Sequence, residues 1–154
     1  MTRKEVFSLD DVDKRIVEQL QEDGRRPYTQ IAPVVGLSEA AVRQRVQRLV
    51  DAGVIQIVGV TDPKMLGFGR QAMIGLTVEG DTRKVADAVA AMDEVVYVVL
   101  TAGSLDVLIE VVVKDDEELL ELLNDKIRAI DGVRDTESFV YLRIHKETYA
   151  WGAP

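Results

Sequence analysis

The chain contains no cysteine, so a disulfide framework and any thiolate metal site are excluded. Histidine is almost as scarce: His145 is the single one among 154 residues. It shares strand parity with Tyr141 and Arg143, no serine pairs recognisably with it, and no glycine-rich phosphate loop is present, so nothing points to an enzyme. The acid run Asp115-Asp116-Glu117-Glu118 has no matching second cluster and reads as a helix start rather than a metal site. Aromatic residues make up 5% of the chain. The longest apolar runs, such as residues 95–100, fall far short of the roughly 20 residues of a membrane-spanning helix. Met1-Thr2-Arg3-Lys4-Glu5 leads into an acidic stretch without the apolar core of a secretory signal, so a cytoplasmic location and no membrane partner are expected. Neither an internal repeat nor a low-complexity segment occurs.

What is present is an ordinary soluble composition, 47% apolar and 30% charged, with an uneven charge distribution. Residues 1–60 balance nine basic against nine acidic side chains, whereas residues 61–154 carry the whole net charge of −8. Screening confines each field to about 10 Å at physiological salt. The overall acidity therefore does not forbid a neutral N-terminal module with clustered arginines from approaching phosphate.

That module reads as three helices. Val12, Ile16, Val17 and Leu20 recur at helical spacing over residues 10–22, and Gly24 closes the pattern. After the connector Arg25-Arg26-Pro27-Tyr28, Thr29 is the expected N-cap of a helix over residues 30–35. Ile31, Ala32 and Val35 face inward there, and Pro33 falls in the first turn, where its missing amide is not needed. Gly36 marks a sharp turn, Ser38 is the expected N-cap of a third helix over residues 39–51, and Gly53 takes the C′ position. Val42, Val46, Leu49 and Val50 form the apolar stripe of this helix. At about 100° per residue, Ala40, Gln44, Gln47 and Arg48 lie opposite, with Arg43 and Arg45 on the flanks. A buried back and a face of small, amide and guanidinium groups suit a helix in a DNA major groove. Arg43 and Gln44 are expected nearest the base edges, and Arg45 and Arg48 nearer phosphates, with Gln47 on the same face. Ser38, Glu39 and Ala40 approach the groove from the helix start, and Tyr28 and Thr29 are candidate backbone contacts. A merely solvated helix face carries the same residue types, so the pattern alone leaves both readings open. Residues 54–61, rich in β-branched side chains, follow as an expected strand and complete a winged-helix-like sketch.

Asp62-Pro63, Gly67 and Gly69 mark a linker over residues 62–71, dividing a domain of residues 1–61 from one of residues 72–154. In the second domain the expected order is strand 72–79, helix 82–92, strand 95–101, a tight connection at 102–105, strand 106–113, a second helix and strand 133–144. Val85, Val89 and Met92 face one way on the first helix. Leu119, Leu122, Leu123, Ile127 and Ile130 form the stripe of the second, whose opening acids suit the positive end of the helix dipole and which Gly132 ends. This βαββαβ order is the ferredoxin-like arrangement, an antiparallel sheet with two helices on one face, and the whole chain is α+β. No third helix remains for the other face, to which Val96, Val98, Val107, Ile109 and Val111 are assigned. Burial of that face against a second copy predicts at least a homodimer. Trp151, in the short tail, is expected to pack locally.

Several stretches carry a family resemblance. They are Leu9-Asp10-Asp11-Val12-Asp13-Lys14-Arg15-Ile16, Gln21-Glu22-Asp23-Gly24-Arg25, Val35-Gly36-Leu37-Ser38, and Arg45-Val46-Gln47-Arg48-Leu49 followed by Gly53-Val54-Ile55. In the second half they are Thr101-Ala102-Gly103-Ser104-Leu105-Asp106 and Gly132-Val133-Arg134-Asp135-Thr136-Glu137-Ser138. In this order and spacing, from about Leu9 to Lys146, they resemble the Lrp/AsnC (leucine-responsive, feast/famine) bacterial transcription regulators. The resemblance implies double-stranded DNA as a partner, dimerisation through the C-terminal domain with assembly to tetramers or octamers, and an amino acid or related metabolite bound between subunits. No further cofactor is implied. The effector loop is then Thr101, Ala102, Gly103, Ser104, Leu105 and Asp106. Amides beside Gly103 receive a carboxylate and Asp106 receives an ammonium, since neither charge of a zwitterion is buried without a partner. Thr136 and Ser138 are the further hydroxyls of this site. The commonest loop of the family has an acid after the glycine and an aromatic before the aspartate, where this chain has Ser104 and Leu105. A hairpin turn with a polar strand start accounts for Gly103 and Asp106 equally well. A regulator without effector control, and a metabolite-sensing module whose helices contact protein, remain as alternatives.

Overall fold

The Asp10 carboxylate accepts from the Asp13 amide (2.7 Å), and the Asp13 carboxylate accepts from the Asp10 amide in return (3.3 Å). This reciprocal cap starts the first helix in the computed structural model, which describes residues 8–153. Three helices follow in order: α1 (Asp11–Glu22), α2 (Tyr28–Val35) and α3 (Glu39–Asp51). Ile16, Val17 and Leu20 of α1, Ile31, Ala32 and Val35 of α2, and Val42, Val46 and Leu49 of α3 form one buried cluster. Gly36 turns the chain between α2 and α3 at φ 74°, a left-handed conformation that a side chain disfavours. Gly53 (φ 69°) ends α3, its amide bonding the Val50 carbonyl while the Val54 amide bonds that of Leu49, a Schellman closure.

Several sequence expectations for this half are corrected. Thr29 does not cap α2. Pro27 holds the N-cap position at φ −59°, and its carbonyl accepts from Gln30 (2.9 Å) and Ile31 (3.2 Å). The helix begins two residues early, so Pro33 lies in its second turn, on the exposed side. Val50 leaves the stripe and is 39% exposed. Residues 54–61 form no strand. Val54 and Ile55 pack half-buried on the helical cluster, whereas Ile57, Val58 and Val60 are exposed. Branched residues favour extended backbone, but a strand needs a neighbour to take its amides and carbonyls, and no described strand pairs with this segment.

The described residues form two compact units. One comprises residues up to Val60 together with those from Lys146 onward, and the other is Thr61–His145. Residues from Lys146 onward, placed with the C-terminal domain in the sequence reading, pack with the helices. Gly152 exchanges two hydrogen bonds with the Gln21 side chain (3.1 and 3.5 Å), and Ala153 packs on the helical cluster. Trp151 is not packed locally; it is 78% exposed.

The second unit opens with a 3₁₀ turn at Pro63–Leu66, capped by Asp62. Its elements are β1 (Arg70–Val78), α4 (Thr82–Ala90), β2 (Val95–Leu100), β3 (Val107–Val113), α5 (Asp116–Glu121) and β4 (Val133–Val140). The sheet order is β2-β3-β1-β4 with every neighbouring pair antiparallel, the expected ferredoxin-like order. The last helix changes character: α5 continues as a π-helical segment, Leu122–Ile127, closed by an Arg128 amide bond to the carbonyl five residues back. The wider turn brings Leu122 and Ile127, five residues apart, into one buried cluster. β4 ends at Val140, four residues short of its expected limit, just before the Tyr141 amide donates to the Gln71 carbonyl of β1 (2.9 Å).

The assignment of sheet faces is also corrected. Val107, Ile109 and Val111 are buried beneath α4 and α5 with Ala72, Ile74 and Leu76, and Val98 packs against that cluster. Only Val96, at a register shift in β2, is exposed. Cross-strand register puts Met73, Tyr97, Val99, Leu108, Val112 and Phe139 on the opposite face. That face is uncovered within the unit, as expected, but with other residues.

Candidate nucleic-acid interface and effector loop

Burial of Val42, Val46 and Leu49 fixes which way α3 points. Ala40, Arg43, Gln44, Gln47, Arg48, Asp51 and Ala52 line one open surface on its other side. Ser38 caps the helix by accepting from the Ala41 amide (3.2 Å), leaving Ser38, Glu39 and Ala40 exposed at its N-terminus. Arg43 donates to the Glu39 carboxylate (2.8 Å) and stands 5.2 Å from the centre of the Tyr28 ring. Such stacking contributes about 0.5–1 kcal/mol at an exposed site and holds the guanidinium where α2 meets α3. Thr29 is exposed in the first turn of α2. Gln47 donates to Asp51 (2.8 Å). The exposed Gln44 side chain makes no hydrogen bond among the described residues and presents both an amide donor and an acceptor, which is what bidentate adenine recognition requires.

Arg45 and Arg48 are placed differently from Arg43, the other cation of α3. Arg45 donates to Asp10 Oδ2 (2.6 Å) and Asp13 Oδ1 (2.8 Å), and Arg48 donates to Asp13 Oδ2 (2.5 Å). Asp13 is 0% exposed and is the one buried charged residue among those described. A buried carboxylate is tolerated only when its charge is matched and its lone pairs are used, and the two arginines meet both conditions. The hydrogen bond from Arg45 holds the Asp10 carboxyl below its ordinary pKa, and Arg45 is raised in return. Where the sequence placed these arginines towards phosphate, the structure pairs them with acids of α1. Asp13 was missed as a functional residue. Its signal was its position: it precedes Ile16, Val17 and Leu20 by three, four and seven residues, which puts an acid on the apolar stripe.

In the second unit, residues 101–106 connect β2 to β3. The Thr101 amide donates to the Asp106 carbonyl (3.0 Å), and its hydroxyl donates to the Leu105 carbonyl. Asp106 Oδ2 accepts from the Val78 amide (2.8 Å), and the Asp106 amide donates to the Leu76 carbonyl (2.8 Å). Ala102, Gly103 and Ser104 are exposed. A Cβ at Gly103 would meet nothing within 4 Å, and its backbone is not left-handed. Leu105 lies over Gly75. Thr136 and Ser138 pair with Leu76 and Ile74, so β1 separates them from β3 and its loop. Two strand spacings set that separation at about 10 Å. The Thr136 hydroxyl accepts from Arg128 Nε (3.0 Å).

Comparison with known proteins gives two parts in the same order, with residues 146–151 falling in the second. The AsnC-type helix-turn-helix domain matches residues 9–50, and the Lrp/AsnC ligand binding domain matches residues 71–151. The HTH-type transcriptional regulator FL11 of Pyrococcus furiosus is 37% identical over 142 residues, covering 91% of this chain and 93% of its own. The HTH-type transcriptional regulator LrpA of Pyrococcus abyssi is 34% identical over 131 residues, covering 81% of this chain and 90% of its own. Among solved structures, AsnC of E. coli superposes with a TM-score of 0.83 at 26% identity, covering 93% of this chain and 98% of its own. A transcriptional regulator of Neisseria meningitidis in complex with L-Met does so at 0.83 and 28%, covering 93% and 96%.

Helix-turn-helix, uncovered sheet and these likenesses together define a DNA-binding transcription regulator with a ligand-binding domain, not an enzyme. The chain belongs to the Lrp/AsnC family. The relatives named from Pyrococcus are archaeal, so the likeness is wider than the bacterial one read from the sequence. Among the described residues no helix is long and apolar enough to cross a membrane.

Proposed function

We propose that this regulator works in the cytoplasm as a homodimer or a tetramer or octamer built from it. It reads operator DNA with the exposed face of α3 and is tuned by an amino-acid-type effector at residues 101–106. The observation that carries the DNA reading is the α3 surface itself. Ala40, Arg43, Gln44 and Gln47 project from a helix whose back is locked in the core. Arg43 and Gln44 are the base readers. Tyr28, Thr29, Ser38 and Glu39 flank them, in reach of the backbone where hydroxyls and helix starts meet phosphate.

Gly103 supports the effector reading, because neither sterics nor backbone conformation requires a glycine there. A bare backbone does allow a ligand carboxylate to approach the loop amides closely. The free oxygen of Asp106 is then the ammonium partner, with Thr101, Ala102, Ser104 and Leu105 forming the walls. Thr136 and Ser138 belong to the site only if a second subunit closes the intervening distance. The regulator in the Neisseria meningitidis structure holds L-Met, which makes amino acids the first ligands to test. The uncovered sheet face with Met73, Tyr97, Leu108, Val112 and Phe139 is the dimer contact.

Fluorescence anisotropy with a duplex from the chain's own upstream region and a scrambled duplex tests this reading. The expected result is preference for the first, lost in Arg43→Ala/Gln44→Ala. Each lost bidentate contact costs about 1–3 kcal/mol, or about 5- to 150-fold. An amino-acid panel should shift the midpoint in the wild type and not in Asp106→Ala. Equal binding to both duplexes overturns sequence reading. A preference for the operator that no amino acid shifts would favour the regulator without effector control.

A further inference from the structure

Four charges, Asp10, Asp13, Arg45 and Arg48, meet at the junction of α1 and α3. Asp13 is 0% exposed, and its two oxygens face Arg45 (2.8 Å) and Arg48 (2.5 Å). Asp10 takes a further bond from Arg45 (2.6 Å) while capping α1. Two carboxylates thus offset two guanidiniums on the helix that faces DNA. Among the described residues the third arginine of α3, Arg43, pairs with the exposed Glu39 and stands over the Tyr28 ring. Sequence-independent affinity for DNA comes from cations that displace counterions from phosphate, each steepening the salt dependence by about 0.9 in log–log slope. A guanidinium already matched by a buried carboxylate contributes little to that release. It still contributes rigidity.

We propose that Asp13 is a specificity-determining positioning residue, whose buried carboxylate withholds Arg45 and Arg48 from phosphate. Discrimination is left to Arg43, Gln44 and Gln47. This rests on α3 being the DNA-reading helix. The consequence is counterintuitive: removing an acid from the interior lowers sequence discrimination while raising general attraction to DNA. Simple damage to the fold does the opposite, weakening binding to every duplex.

Asp13→Asn keeps the shape and removes the charge. Salt titrations of the full chain with operator and scrambled duplexes should show the slope steepened by about 1–2. Binding to the scrambled duplex should tighten and the operator-to-scrambled ratio fall several-fold. Adding Arg45→Gln to Asp13→Asn should return about one unit of that slope, since it deletes one of the two released cations. Thermal melting establishes that each variant is folded. Should Asp13→Asn not fold, Asp10→Asn serves in its place. Asn caps a helix as well as Asp does, Asp10 is exposed, and the slope should steepen by less than one. A slope unchanged or shallower in a folded variant, with the ratio intact, overturns the proposal. Failure of the wild type to prefer its operator instead overturns the DNA-reading assignment, and the wild-type arm alone decides that.

Discussion

Gly75 offers a test of the sheet unit in which the sign of an effect, not only its size, is at stake. A Cβ built on Gly75 would stand 2.3 Å from Leu105 Cδ1 and 3.0 Å from its Cγ and Cδ2. Leu105 belongs to the loop that carries Asp106, so the strand and the candidate effector loop interlock at this point. Glycine inside a strand costs about 0.5–1 kcal/mol relative to alanine through the entropy of the unfolded chain. Overpacking a filled site costs about 1–3 kcal/mol. The balance makes Gly75→Ala destabilising by about 1–2 kcal/mol. In a Leu105→Ala background the obstruction is gone, and the same substitution should stabilise by about 0.5–1 kcal/mol. The coupling is then within the range of about 0.5–3 kcal/mol found for touching residues. Urea unfolding of the four proteins at one protein concentration measures it. Equal cost of Gly75→Ala in both backgrounds would refute the interlock and with it the stated position of the loop.

Further outcomes follow from the same packing and charge arguments. Leu49→Ala should cost about 2–5 kcal/mol, because Leu49 is fully buried; Val50→Ala, at an exposed neighbour, should cost about 0.5 kcal/mol or less, and comparable losses in denaturant midpoint would contradict the orientation of α3. Hydrogen bonds from Arg45, Lys126 and Arg70 lower the carboxyl pKa values of Asp10, Glu94 and Asp116 below their ordinary 3.8, 4.5 and 3.8. In that range the unfolded chain binds more protons than the folded one, so the contribution of these pairs is complete above about pH 5 and is lost as pH falls through the lowered values. Melting curves should show this loss below pH 4, smaller in Glu94→Gln, and a midpoint falling steadily from pH 7 to 5 would point to other groups. Phe139→Glu, on the uncovered sheet face, should shift sedimentation towards a smaller species without lowering the melting point of the monomer, and an unchanged assembly would place the dimer contact elsewhere.

How far the sequence reached differs from element to element, for physical reasons. The bounds of α3 and its Ser38 cap were legible because a cap, a stripe and a C′ glycine all act locally. The start of α2 was not, since a proline with suitable φ outcompeted the threonine hydroxyl at the first turn. Strand parity told correctly that Val107, Ile109 and Val111 share a face, but parity cannot say which face the helices cover. The strand expected over residues 54–61 and the length of β4 depend on neighbours that local propensity does not contain. The π-helical turn after α5 likewise follows from the packing of Leu122 and Ile127. Within the candidate sites, α3 was found by its pattern, whereas the pairing of Asp13 with Arg45 and Arg48 spans 32 and 35 residues. An acid on the apolar stripe of α1 announced a buried charge without naming its partners.

The claim that α3 lies in the major groove and reads bases is tested most directly by methylation interference at guanine N7, an atom exposed only there. The account predicts interference in two half-sites with centres about one helical turn, or a multiple of it, apart. Signals at particular guanines should disappear for Arg43→Ala while the remainder persist. Interference absent from every guanine of a tightly bound operator, with protection confined to the sugar–phosphate backbone, would contradict it.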